Sequence, residues 1–72
     1  MTQMINAEMS ASVWRVLVTP GTEVEADEPI LILESMKMEI PVMSDGGRVV
    51  EIAVSQGEIV QSGQHLVTVD PS

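Results

Sequence analysis

Shifted against itself by 36 positions, the chain falls back into register, and no other property restricts its fold so tightly. Val13 lands on Val49, Val18 on Val54, Gly21 on Gly57 and Val24 on Val60, all identical. Val16 lands on Ile52, Ile30 on Leu66, Leu31 on Val67, Leu33 on Val69 and Glu34 on Asp70, all conservative. Chance supplies a few such matches, but not a run of this length without a gap. The chain is two copies of one unit, and what one copy folds into the other must repeat.

The unit is made of strands. Val13-Trp14-Arg15-Val16-Leu17-Val18 is rich in β-branched residues and closes on Thr19-Pro20-Gly21, a strand followed by a turn. Its apolar residues Val13, Val16 and Val18 step by three and then by two, as do Val49, Ile52 and Val54 in the second copy. Strict alternation forbids a step of three, so each strand should hold one extra residue, a bulge or bend. Upstream, residues 2–7 form a weakly patterned candidate strand and Met9-Ser10-Ala11-Ser12 a turn. Downstream come a very short strand at Glu23-Val24-Glu25, a turn at Ala26-Asp27-Glu28-Pro29 and a strand from Ile30 to Ser35; Asp45-Gly46-Gly47 links later strands. Gly21 and Gly57 occupy equivalent sharp turns, where the lack of a Cβ admits a positive φ. No window carries a sustained helical period.

A duplicated all-β unit of this size is expected to form a flattened barrel or sandwich of two four-stranded antiparallel sheets related by a pseudo-twofold axis. With 72 residues a second domain does not fit, so residues 1–72 are expected to be one domain. Aromatic residues make up 1% of the chain, so the core must be Val, Ile, Leu and Met, with Trp14 expected in the core or against the barrel end.

The repeat also singles out Lys37, the one lysine beside Arg15 and Arg48. It lies at the seam between the copies, and since 37 − 36 = 1 its mate is Met1, which should put the lysine turn and the chain termini at opposite ends. Ile30-Leu31-Ile32-Leu33 before it and Ile40-Pro41-Val42-Met43 after it read as the arms of a hairpin, with Pro41 marking an edge or a bend. The central pair of that turn would be Met36-Lys37, where tight turns favour Asn-Gly or Asp-Gly. A local rule broken at an exposed point signals function.

Glu34-Ser35-Met36-Lys37-Met38-Glu39 resembles the attachment motif of biotinyl domains, in which a lysine flanked by methionines at a hairpin tip is joined to biotin through an amide. The resemblance runs from about Ile5 to Val69 and implies the same flattened barrel. It departs at the first inner turn, where the family often has Ala-Pro and a Gly and this chain has Ala7-Glu8 and Ala11, and the chain has no room for the thumb-like loop of some carriers. What it implies is a carrier and not an enzyme: biotin bound covalently at Lys37, Met36 and Met38 as recognition flanks, and Glu34, Ser35 and Glu39 as residues that help a biotin protein ligase to dock. The ligase would supply biotin as its adenylate. A biotin carboxylase and a carboxyltransferase would then exchange carboxybiotin through the tethered arm. The chain begins at Met1 shortly before the barrel and stops at Ser72 just after it, so a stand-alone carrier is expected, with a carrier domain excised from a larger carboxylase as the alternative.

Two other readings stay open. Lipoyl domains are similar in overall pattern but typically carry Asp before the lysine and Ala or Val after it, so Met36 and Met38 favour biotin. A barrel-like module that docks on a protein through its Met-rich end and is never modified is the second.

Charge and composition remove further classes. A formal charge of −8 opposes binding to nucleic acid or an anionic membrane, both of which call for clustered Lys and Arg. The chain has no cysteine for a disulfide or thiolate site, and no segment patterned as a signal peptide or membrane span, so a cytoplasmic location is expected. Glu23, Glu25, Asp27 and Glu28 lack the central Gly and terminal Glu of a calcium loop and read as a solvated face, and His65 stands alone, so no metal is expected. No nucleophile-and-base pattern or phosphate-cradling glycine loop is present.

Overall fold

The computed structural model describes residues 2–71. Eight strands follow in order: β1 Gln3–Asn6, β2 Ala11–Val16, β3 Glu23–Val24, β4 Pro29–Ser35, β5 Met38–Met43, β6 Gly47–Ile52, β7 Ile59–Val60 and β8 His65–Asp70. They form two four-stranded antiparallel sheets, one ordered β1-β8-β6-β3 and the other β5-β4-β2-β7. A shift of 36 carries β2 onto β6 and β3 onto β7 end for end, and β4 onto β8, so each sheet is the image of the other. The result is an open, flattened sandwich. β1 and β5 do not pair, and a cleft of about 180 Å³ lined by Ile5, Ala7, Leu33 and Ile40 lies between these edges.

The core is the repeat made physical. Val13 and Val49, Ile30 and Leu66, Leu31 and Val67, and Leu33 and Val69 are mates, and all are buried between the sheets. The two halves are also tied to each other through their backbones. Gly21 N–H donates to the Val49 carbonyl and Gly57 N–H to the Val13 carbonyl, both at 2.7 Å, and both glycines have the positive φ that their turns require, at 96° and 93°. Val49 N–H in turn donates to the Thr22 carbonyl at 2.8 Å and Val13 N–H to the Glu58 carbonyl at 2.7 Å.

Both expected bulges are present. Pairing of β2 with β4 slips between Val13 and Arg15, and pairing of β6 with β8 slips between Val49 and Glu51. The extra residues are therefore Trp14 and its mate Val50. A bulge turns its residues to the outer side, which corrects the placement of Trp14: it is 39% exposed on the surface, with the Arg15 guanidinium 4.9 Å from its ring centre.

Two boundaries also differ from expectation. The turn is confined to Glu8 and Met9, and Ala11-Ser12 opens β2, because Ala11 is buried opposite Val60 and the Ser12 hydroxyl donates to the Glu34 carbonyl at 3.3 Å. β2 ends at Val16, two residues early, leaving Leu17 exposed with one backbone bond to Ile30. At the sandwich edges the repeat slips by one: the inward pair Ile5 and Ala7 matches Val42 and Ser44, a spacing of 37 and not 36.

The first and last strands place Gln3 and Asp70 away from the lysine turn. β8 starts beside Ala7, whose N–H donates to the Gln64 carbonyl, at the end of the sandwich where Ser12 meets Glu34. It then runs its length to Asp70, which pairs with Arg48, while Gln3 pairs with Val69. The repeat mate Met1 lies outside the described residues.

Candidate functional site

Strands β4 and β5 form a hairpin closed by Ser35 opposite Met38, with Met36 and Lys37 as its two-residue turn. Their φ angles are 53° and 66°, the paired left-handed conformation that matches the twist of a two-residue hairpin. They are the non-glycine positions among the described residues with positive φ, so backbone strain is concentrated on the one lysine and the residue before it. Register holds the turn out: β2 begins at Ala11 and pairs no further along β4 than Glu34, so the turn extends past the sheet.

The environment of Lys37 is open. The residue is exposed, and among the described residues it takes part in no ion pair or hydrogen bond. Met36 is 90% exposed and Met38 63%, so neither thioether packs on the end of the sandwich. Glu34 and Glu39 are cross-strand partners, both exposed, and Ser35 is half-buried at the base of the turn. Two like charges directly opposite each other cost a few tenths of a kcal/mol or more, up to about 1. The hairpin thus carries strain in its backbone, repulsion in its flanks and apolar side chains in water, all within three residues of one amine.

All six residues singled out in the sequence meet on this one projection. Sequence reasoning missed Ser12, whose hydroxyl bond to the Glu34 carbonyl steadies the hairpin base; read as part of a turn, it gave no signal of that role. The remaining candidates do structural work. Glu28 accepts from the Glu25 N–H at 2.7 Å to close a turn, and Glu23 pairs with Arg48 at 3.5 Å. His65 faces the Thr68 hydroxyl at 2.9 Å, Asn6 at 3.4 Å and Glu51 at 3.8 Å, and among the described residues no cluster suited to a metal occurs. Pro41 lies on β5, an edge strand, where a missing N–H costs no ladder bond.

An exposed primary amine on a strained, projecting turn can be acylated, and an acyl group placed there reaches well clear of the sandwich. A family model described as "Biotin-requiring enzyme", for biotin/lipoyl attachment, matches residues 1–69. The chain is 36% identical over 69 residues to a biotin/lipoyl attachment protein of Bacillus subtilis, covering 94% of each. It is 37% identical over 70 residues to a biotinylated protein TB7.3 homolog of Mycobacterium leprae, covering 96% of this chain and 99% of that one. Among solved structures, the urea carboxylase of Kluyveromyces lactis superposes with a TM-score of 0.88 at 25% identity, over 97% of this chain and 6% of that protein.

Proposed function

The chain belongs to the biotin/lipoyl-attachment family, and from that premise we propose that Lys37 is its attachment residue, joined to biotin through an amide. The domain itself is a non-catalytic carrier of the biotin carboxyl carrier type. Bound biotin supplies a ring nitrogen that takes up and gives up a carboxyl group. Everything else the chain contributes is position.

The observation that carries this reading is the pair of positive φ angles at Met36 and Lys37, with the amine at the tip in no ion pair or hydrogen bond among the described residues. Only a neutral amine attacks an acyl carbon, so the partner must take a proton from the nitrogen. A biotin protein ligase would do so and offer the biotinyl adenylate: the Lys37 nitrogen bonds the carboxyl carbon, AMP leaves, and the amine's extra protons pass to the ligase. Met36 and Met38 give that enzyme adaptable thioether surface on both sides of the amine, and Glu34 and Glu39 give it charge to dock on. Once loaded, the projecting turn holds its arm at high effective concentration near a biotin carboxylase and a carboxyltransferase. The reading places this exchange in the cytoplasm.

Incubation with biotin protein ligase, ATP and biotin should add about 226 Da to the intact mass, one amide's worth, and Lys37→Arg should add nothing. A lipoyl carrier would instead gain mass with lipoate ligase and lipoate. Gain in neither reaction would make the domain an unmodified docking module and sink the proposal.

A further inference from the structure

The internal repeat provides a comparison within one molecule: β2, β3 and β4 correspond to β6, β7 and β8, so a difference between mates marks what one sheet carries and the other does not. On the outer side of the β1-β8-β6-β3 sheet, beside exposed Met4 and Val50, the mates Glu23, Arg48 and Thr68 are polar and paired. Arg48 pairs with Glu23 at 3.5 Å, and Thr68 is covered, its hydroxyl bonded to His65 at 2.9 Å and touching the Met4 sulfur at 3.5 Å. On the sheet that carries Lys37 the same three positions hold no charge, and two of them are apolar. Ile59 stands where Glu23 stands and is 70% exposed, Ser12 replaces Arg48, and half-buried Ile32 replaces Thr68. At the bulge, Trp14 and Arg15 replace Val50 and Glu51.

We propose that this outer face, centred on Trp14, Arg15, Ile32 and Ile59, is a docking surface for the biotin protein ligase that acylates Lys37, which meets it with an apolar patch and a carboxylate. The proposal rests on Lys37 as the attachment residue. Charge supports the acidic contact: in a chain of net charge −8, Arg48 is neutralised by Glu23, whereas Arg15 has no ion-pair partner among the described residues and is held over the Trp14 ring. Reach supports the ligase. Ile32 lies on β4 five residues before Lys37, at most roughly 16 Å away at about 3.3 Å per residue. A protein interface of about 800 Å² a side spans a disc of roughly that radius, so an enzyme seated on the turn extends over Ile32 and Trp14. The bare amine has to enter the ligase's active site, forcing the two surfaces together, whereas a loaded arm can serve other enzymes from a distance. A second copy of the chain is the weaker occupant, because two such faces would bring together two molecules of strongly negative charge.

The test is the rate at which a purified biotin protein ligase, with ATP and biotin, loads the full chain and its variants. Arg15→Glu, Ile59→Glu and Trp14→Ala should each raise KM about tenfold or more with kcat little changed, as loss of an interface contact does. Val50→Glu and Glu51→Arg, the mates on the opposite sheet, should stay within about twofold of wild type. Urea midpoints of the same variants separate docking from folding. If the wild type loads and all five variants load alike, the docking surface is overturned while the attachment reading stands. If the wild type gains no mass beside a substrate the ligase does load, both fall. A dimer in sedimentation velocity that Ile59→Glu disperses would assign the face to a second copy and overturn the proposal.

Discussion

Gly21 donates its backbone N–H to the Val49 carbonyl at 2.7 Å, so the turn of one repeat is fastened to the central strand of the other. The same bond in mirror role joins Gly57 to Val13 at the same length. Each unit therefore completes the other's ladder, and neither half presents a closed set of backbone bonds alone. This reciprocity is why duplication yields one sandwich and leaves the seam between the copies free to project.

Equal roles predict equal energies. Among the described residues, none beyond the adjacent ones comes within 4 Å of where a Cβ would sit on Gly21 or Gly57, so an alanine at either site meets only the dihedral penalty of φ near 96° or 93°. Gly21→Ala and Gly57→Ala should each lower stability by about 1–2 kcal/mol, and by the same amount to within about 0.5. Urea denaturation measures both; a difference well beyond that margin would mean the two turns are not equivalent.

The hairpin predicts the opposite sign. Met36 holds φ at 53° with a long side chain in water, whereas asparagine tolerates that conformation. Met36→Asn should raise the urea-derived stability by about 0.5–1 kcal/mol while lowering the ligase's kcat/KM by about tenfold. Stability and loading moving together would remove the argument that strain at this turn is kept for recognition.

The parts of the fold that could be read in advance are those in which local chemistry and tertiary packing agree. Gly21 and Gly57 take positive φ without the Cβ penalty, and the three-then-two step of Val13, Val16 and Val18 breaks strict alternation, so sharp turns and a bulge or bend stood out. Ala11 and Ser12 have poor strand propensity and join β2 only because Val60 and Glu34 are waiting for them, which is tertiary context overriding local preference. Trp14 misled through its size. Large rings are usually buried, but the bulge consumes one residue of alternation and sends it outward with Arg15. The one-residue slip at Ile5 and Val42 had no sequence signal, because an edge strand answers to packing on one side only. Lys37 was legible because Met36-Lys37 is a poor choice for the turn it occupies, the same feature on which its proposed role as attachment residue rests.

Loading should be visible as charge. Amide formation removes the positive charge of the one lysine, so the formal net charge goes from −8 to −8 − 1 = −9. Isoelectric focusing of a half-completed ligation should resolve two bands, the more acidic one reacting with streptavidin. Lys37→Arg keeps the cation and lacks the nucleophile, so it should give a single band and, at an exposed position, an unchanged urea midpoint.

Trp14 is the sole tryptophan, so fluorescence reports on the outer face of one sheet alone. At 39% exposure, with the Arg15 guanidinium over its ring, it should be open to iodide, the cation drawing the anion toward it. Quenching by iodide should therefore exceed that in Arg15→Glu, where an acidic neighbour repels the quencher, whereas neutral acrylamide should quench the two alike. Strong added salt should narrow the iodide difference, as screening requires. When a ligase whose own tryptophans have been replaced by phenylalanine is added to Lys37→Arg, which docks but cannot be acylated, iodide quenching should fall. Quenching that persists in a complex demonstrated by sedimentation would place the ligase elsewhere on the domain.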